Sequence, residues 1–250
     1  MDLKGQCILL TGASRGIGAA IARDLLKKGA TVALHYNRNP ESVKQLESKY
    51  PDNTRGFKAN LEFPEDTIRL VKEVINTMGP VHSIILNAGV FIPHPVDLPE
   101  EEWLDIWRKI IAINLESCGL MTKMGIAHFR DNGGGRFIYI GSRAAFRGET
   151  QEYLAYAASK GGLTSLARSV ARSFGKDNIK SFVVAPGFTR TEMAEEFIAK
   201  YGEEKVLKEI ALPELTRPED IAPLVALMCS GQMDHATGTT IDVNAGSHIR

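Results

Sequence analysis

The 250-residue chain reads as an α/β protein, a doubly wound parallel sheet with helices on both faces, in a single domain. Three observations lead there. Short apolar runs alternate with longer segments of helical periodicity. The first apolar run opens into a glycine-rich turn at the start of a helix. No linker, repeat or low-complexity tract interrupts the alternation.

Residues 6–11 are apolar without alternation, as a strand buried on both faces should be. A glycine turn and a helix to about Lys28 follow, closed by Gly29, and residues 30–36 form the second strand. A helix begins after Pro40, a short strand lies near 55–59, and another helix runs from Pro64 to Gly79-Pro80. Residues 81–87 are strand-like. A long helical region extends from Pro99 to about Arg130, where Gly133-Gly134-Gly135 breaks it. Residues 136–141 read as strand, 153–174 as helix, and 179–185 as a strand closed by Pro186-Gly187. The polar helical stretch 189–212, flanked by turn residues, has the character of a lid, taken as about 188–212. A helix over 218–228 and a strand near 239–243 complete the order.

Composition narrows the function. Lys+Arg and Asp+Glu both number 30, so no basic surplus points to nucleic acid, and an anionic ligand must be held by local residues. Cys7, Cys118 and Cys229 are widely spaced and follow no metal-ligand pattern, as in a reduced setting. The first residues lack a signal-peptide core, and no segment reads as long and apolar enough to cross a bilayer. The expectation is a soluble, cytoplasmic protein without a membrane or nucleic-acid partner.

Thr11-Gly12-Ala13-Ser14-Arg15-Gly16-Ile17-Gly18 lies between the first strand and the first helix. Glycines there permit a tight turn and close approach of backbone to a pyrophosphate, and the helix start offers N–H groups to phosphates. An acidic residue about 20 positions on would bind the ribose hydroxyls of NAD. Here His35-Tyr36-Asn37-Arg38 occupies that place, and Arg15 with Arg38 can converge on a 2′-phosphate. NADPH is therefore favoured over NAD.

Tyr156-Ala157-Ala158-Ser159-Lys160 supplies the second motif. Helical residues four apart share a face. A free phenol, with pKa near ~10, exchanges protons poorly at neutral pH. A nearby ammonium should draw it down.

Together these residues carry a family pattern. The chain resembles the short-chain dehydrogenase/reductase family in Thr11-Gly12 to Gly18, Asn87-Ala88-Gly89, Asn114, Ser142, Tyr156 with Lys160, and Pro186-Gly187, over nearly its whole length. The resemblance implies a Rossmann-type domain and a hydride transfer between nicotinamide and a carbonyl. It implies that Tyr156 is the general acid, that Ser142 donates to the developing oxyanion, and that Lys160 also binds the nicotinamide ribose. By resemblance Asn114 holds a water linking Lys160 to solvent. Asn60 and Leu61 would face the adenine, Asn87, Ala88 and Gly89 the adenosine ribose, and Thr189 to Thr191 the carboxamide and pyrophosphate. Singly, Ser142 reads as a cap and Asn114 as a locally bonded helix amide; the set carries the assignment.

The chain departs from the pattern in three places. The interval from Ser142 to Tyr156 is one residue longer than in close relatives, which leaves the shape of 143–155 open. Asn60 stands where the family has aspartate, its amide oxygen able to accept the same hydrogen bond. Leu86-Asn87 replaces two asparagines.

Among relatives the pattern is most like the 3-oxoacyl-acyl-carrier-protein reductases, supported by Arg15 and by Arg217-Pro218-Glu219-Asp220-Ile221-Ala222. Arg130 is placed to dock an acidic carrier, whereas Asp177 falls where a second docking arginine belongs. The substrate thus stands between an acyl thioester, with an acyl carrier protein as partner, and small ketones, sugars or cyclic alcohols. A non-catalytic NADPH-binding protein is the remaining alternative, against which the presence of Tyr156 and Lys160 counts. Apolar residues on more than one face of the helices around 103–129 and 153–174 lead to an expected homotetramer, with a dimer second.

Overall fold

The computed structural model describes residues 1–192, 194, 198 and 202–250. Residues 193, 195–197 and 199–201, part of the expected lid, lie outside the described residues.

The expected order is found with shifts of a residue or two at the ends, except over 189–212, where 189–191 and 208–212 are turn or irregular and not helix. β1 (Cys7–Leu10) leads to α1 (Gly16–Lys27), β2 (Thr31–Tyr36), α2 (Glu41–Lys49) and β3 (Thr54–Lys58). α3 (Pro64–Met78) and β4 (Ser83–Leu86) follow. A continuous helical run then comprises α4 (Glu100–Ile111), a π turn (Ala112–Glu116) and α5 (Ser117–Asp131). β5 (Gly135–Ile140), α6 (Ala144–Arg147), α7 (Leu154–Phe174) and β6 (Ile179–Pro186) come next. The chain ends with α8 (Glu203–Leu207), α9 (Pro218–Cys229) and β7 (Thr240–Val243).

The seven strands lie in the order β3-β2-β1-β4-β5-β6-β7 and every pairing is parallel. Leu10 pairs with both Leu34 and Ile85, which brings the carboxyl ends of β1, β2 and β4 level. The chain winds outward to β3 and then returns to β4, so the order reverses between β1 and β4. A crevice opens at that reversal, the place where α/β sheets bind ligands.

Helices cover both faces, which is why the central strands are apolar throughout. On one face Ile21 and Leu25 of α1 and Val225 and Met228 of α9 pack against Ile8, Leu10 and Leu34. On the other, Leu70 and Val74 of α3, Met121 and Phe129 of α5 and Leu163 of α7 pack against Leu9, Ile84 and Phe137. Each fully buried side chain of this size stabilises the fold by roughly 1.5–3 kcal/mol.

Two features depart from expectation. The run Glu100–Asp131 is long and apolar enough, by length and composition alone, to cross a bilayer. Sequence reading had found no such segment. One side of it packs on the sheet, where Ile110, Ile113, Cys118, Met121 and Phe129 are buried, and 44% of its apolar window is buried in all. α6 was not foreseen in the 143–155 loop. Ser142 Oγ accepts a hydrogen bond from the Ala144 N–H at 3.1 Å where it begins, and Gly148 (φ +79°) stops it.

Candidate active site

The glycine loop is tied to its surroundings on every side. Thr11 Oγ1 accepts from the N–H groups of Asn87 (2.9 Å) and Ala88 (3.0 Å), and Asn87 Nδ2 donates to the carbonyls of Thr11 (2.8 Å) and Gly12 (3.0 Å). A Cβ on Gly18 would stand 2.0 Å from the Gly12 carbonyl oxygen and 2.6 Å from Asn87 Nδ2, so this position excludes every other residue. Gly12 and Gly16 have positive φ (68° and 52°), and Thr191 packs against Gly16.

His35 completes the loop's support. The Gly12 N–H donates to His35 Nδ1 at 3.1 Å, and Nε2 lies 3.1 Å from the Ala59 carbonyl. Since Nδ1 accepts, the proton sits on Nε2 and is given to Ala59. Burial pushes this imidazole down to about 4, so it is neutral. Sequence reading used His35 only to mark the absence of an acid.

The start of α1 fits a pyrophosphate. Among the described residues no side chain caps it, and Ser14, Arg15, Gly16, Ile17 and Gly18 bring their backbone to the crevice at the β1–β4 reversal. Arg15 is exposed and pairs with Glu192 at 3.2 Å. Asn37 and Arg38 are exposed just past the end of β2. Asn60 differs from expectation. Its Oδ1 already accepts from Asn37 Nδ2 (3.3 Å) and the Glu62 N–H (3.2 Å), so it is not the free acceptor foreseen for an adenine. Leu61 is buried, which leaves its backbone for any ligand contact.

The catalytic candidates gather at the carboxyl ends of β4 and β5. Asn114 sits on the π turn, fully buried. Its Oδ1 accepts from the Val90 N–H (2.8 Å), and its Nδ2 donates to the Val90 carbonyl (2.9 Å) and Ser159 Oγ (3.2 Å). A Cβ on Gly89 would meet Asn114 Oδ1 at 3.3 Å and Lys160 Nζ at 3.6 Å, which places these three side by side. Lys160 Nζ donates to the Ile140 carbonyl at 2.8 Å, and burial pushes the ammonium down to about 8.

Tyr156 is pushed up to about 12. Burial is the main cause, a hydrogen bond with Ser142 opposes it, Glu149 adds to it and Arg143 counters it. The expected lowering by Lys160 is absent: its ammonium faces the Tyr156 ring, 5.7 Å from the centre, and is bonded to Ile140. Phe91 stands edge-on to the Tyr156 ring, with centres 4.7 Å apart, and stacks on Tyr153. His94, fully buried, accepts from the Ala155 N–H at 3.0 Å and so fixes the start of α7. Neither aromatic anchor was singled out in the sequence, where nothing local marks them.

Pro186 and Gly187 end β6. A Cβ on Gly187 would lie 2.7 Å from Asn244 Cβ. Thr189 Oγ1 donates to the Gly187 carbonyl at 3.1 Å.

The arrangement is therefore an anion-ready crevice leading to a phenol, a hydroxyl and a buried ammonium, a set suited to proton transfer at a carbonyl or alcohol oxygen. Known proteins agree with it. A family model described as enoyl-(acyl carrier protein) reductase matches residues 12–248. A 3-oxoacyl-(acyl-carrier-protein) reductase of Vibrio cholerae is 33% identical over 253 residues, covering 100% of both chains. A short-chain type dehydrogenase/reductase of Picea abies is 30% identical, covering 98% of this chain and 93% of its own. A dehydrogenase/reductase SDR family member 4 of Caenorhabditis elegans is 30% identical, covering 99% and 96%. With the parallel sheet, the glycine loop and the Ser142–Tyr156–Lys160 cluster in place, the chain belongs to the short-chain dehydrogenase/reductase family of oxidoreductases.

Proposed function

We propose that the protein reduces a carbonyl to a secondary alcohol with NADPH, the substrate being a 3-oxoacyl thioester or a small ketone. The observation that carries this reading is the buried Lys160 ammonium standing 5.7 Å from the centre of the Tyr156 ring and beside Gly89 and Asn114, at the mouth of the crevice held by the glycine loop.

NADPH, when bound, supplies the hydride. Gly12, Ser14, Arg15, Gly16, Ile17 and Gly18 would hold its phosphates, with Arg15 and Arg38 reading the 2′-phosphate. Asn37, Asn60, Leu61, Asn87, Ala88 and Gly89 would border the adenosine, and Pro186, Gly187, Thr189 and Thr191 the nicotinamide end. The close packing of Gly18 on the Gly12 carbonyl and Asn87 supports a glycine loop held at the start of α1. Tyr156 gives its proton to the substrate oxygen as negative charge grows, and Ser142 O–H donates to the same oxygen. Tyr156 is a protonated phenol at neutral pH, as a general acid must be. Lys160 lies behind the phenol as ribose donor, and Asn114 fixes the neighbouring backbone at Val90. The stretch 188–212 covers the substrate, α4, α5 and α7 build a homotetramer, and three buried free thiols suit the reducing cytoplasm.

The Vibrio cholerae relative supports the thioester. A second reading, a small ketone, sugar ketone or cyclic alcohol taken without a carrier, is supported by one ion pair. Arg130, the expected docking cation, is bound by Asp177 at 2.8 Å.

NADPH consumption with a 3-oxoacyl thioester, a sugar ketone and a cyclic ketone tests the proposal. Turnover should fall by about 100-fold or more in Tyr156→Phe, with NADPH binding retained. Binding without turnover on any substrate would leave a non-catalytic NADPH-binding protein, and equal activity of the variant would remove Tyr156 from its role.

A further inference from the structure

We infer that Arg143 is a substrate-binding cation, and that the carbonyl compound taken by this site carries a carboxylate close to the reacting oxygen; this rests on the reductase reading above. Arg143 directly follows Ser142, and its backbone N–H donates to the Pro186 carbonyl at 3.0 Å, so the ends of β5 and β6 fix its place. Its side chain is a guanidinium, with five N–H donors and a charge kept at all physiological pH values. Arg143 is only 6% exposed. Its Nη1 is buried with no hydrogen-bond partner among the described residues. Buried charged donors are almost always satisfied, and one left open beside a reacting group calls for a ligand oxygen.

The rest of the cluster says which kind of oxygen. Arg143 Nη2 and Arg147 Nη1 each donate to Glu209 Oε2 at 3.3 Å. One carboxylate oxygen thus bridges two guanidiniums, at lengths beyond a tight charge-assisted bond. The pair accepts a carboxylate, and it has donors to spare. The Glu209 side chain is 47% exposed and can turn to solvent, whereas Arg143 cannot. The fourth group, Glu149, has its carboxyl pushed up by burial, which weakens the acidic side of the cluster. Two guanidiniums therefore face one exposed carboxylate and one buried carboxyl whose ionisation is disfavoured. Arg143, next in sequence to Ser142, and Glu149 both act on the Tyr156 phenol, Glu149 the more strongly, so the cluster adjoins the reacting groups. An oxo acid satisfies the open donor. Its neutral ester offers only an uncharged acceptor and loses the charge-assisted part of the bond, so it is taken less well.

The test pairs 2-oxobutanoate, acetoacetate and levulinate with their methyl esters, each with NADPH, on the wild type, Arg143→Met and Arg143→Lys. For at least one pair the wild type should favour the acid by about 10- to 100-fold in kcat/KM, the span of one charge-assisted hydrogen bond. That preference should collapse in Arg143→Met and be partly kept in Arg143→Lys. NADPH titration reports whether each variant is folded; should Arg143→Met fail it, Arg143→Lys carries the comparison. A wild type that prefers the esters overturns the inference. So does a parallel loss on acid and ester, which would make Arg143 only a tether for Glu209. If the wild type turns over none of these six compounds, the 3-oxoacyl thioester and the two other ketones decide the reductase reading, and calorimetric binding of the same acids decides the carboxylate site separately. Binding lost in Arg143→Met upholds the carboxylate site, and no binding to the wild type removes it.

Discussion

Lys160 Nζ donates to the Ile140 carbonyl at 2.8 Å while standing 5.7 Å from the centre of the Tyr156 ring, so the end of β5, and not the phenol, holds the ammonium. The consequence is a buried cation with little to offset its lost hydration. Its pKa falls from 10.5 to about 8. Between those values the unfolded chain binds more protons than the folded one, so stability rises with pH through that window. Below pH 8 the full cost applies, roughly 3 kcal/mol at most. Lys160→Met is therefore expected to raise the melting temperature at pH 7 while turnover is lost, and the gain should shrink as pH approaches 10.5. Scanning calorimetry at both pH values checks this; a lower melting temperature at pH 7 would contradict it.

His35 titrates in the opposite part of the scale. Its pKa drops from 6.5 to about 4 because burial disfavours the imidazolium. Protonation would also destroy the acceptor for the Gly12 N–H. The unfolded chain binds the extra proton first, so this residue makes stability fall as pH drops from 6.5 towards 4. The loss is up to roughly 3 kcal/mol. In His35→Asn that acid slope should flatten in denaturant unfolding measured across this range. An unchanged slope would mean that other groups cause it.

Arg130 and Asp177 bear on the partner. Their exposed pair contributes little to stability, about 0.2–1 kcal/mol. Its effect on docking is larger in sign than in size, since it cancels a cation that an acidic carrier would need. Asp177→Asn should tighten binding of an acidic acyl carrier protein severalfold at low salt, and the gain should vanish at high salt. Titration calorimetry at two ionic strengths measures it. Tight, salt-sensitive binding by the unaltered protein would instead favour the carrier-bound thioester.

The elements legible in the sequence were those with a local cause. Buried strands such as Cys7–Leu10 are apolar on both faces, and Gly12, Gly16 and Gly18 announce a turn that only glycine permits. The Tyr156–Lys160 spacing was visible for the same reason. Its electrostatics were not: sequence reveals two groups four residues apart but not the burial that outweighs their attraction. His35 looked like an unremarkable end of a strand, because its partners at Gly12 and Ala59 are 23 and 24 residues away. Arg143 sat in a loop whose shape depends on Ser142 bonding to Ala144 and on Glu209 arriving from far along the chain. Asn114 was found as a motif residue, yet the π turn that presents it depends on its clasp of Val90, 24 residues away.

That wide turn makes one helix count its own residues. Each residue of an α-helix advances about 100° around the axis. The i→i+5 bonds of Ala112–Glu116 already absorb one extra residue, whereas deleting a residue elsewhere in the run would swing Glu100–Ile111 by that angle relative to Ser117–Asp131. Either Ile110 would leave the interior or Asn114 would lose Val90. Surface connections absorb added or missing residues at small cost. Changes of chain length therefore belong in the surface connections, and within residues 100–131 only at the π turn itself.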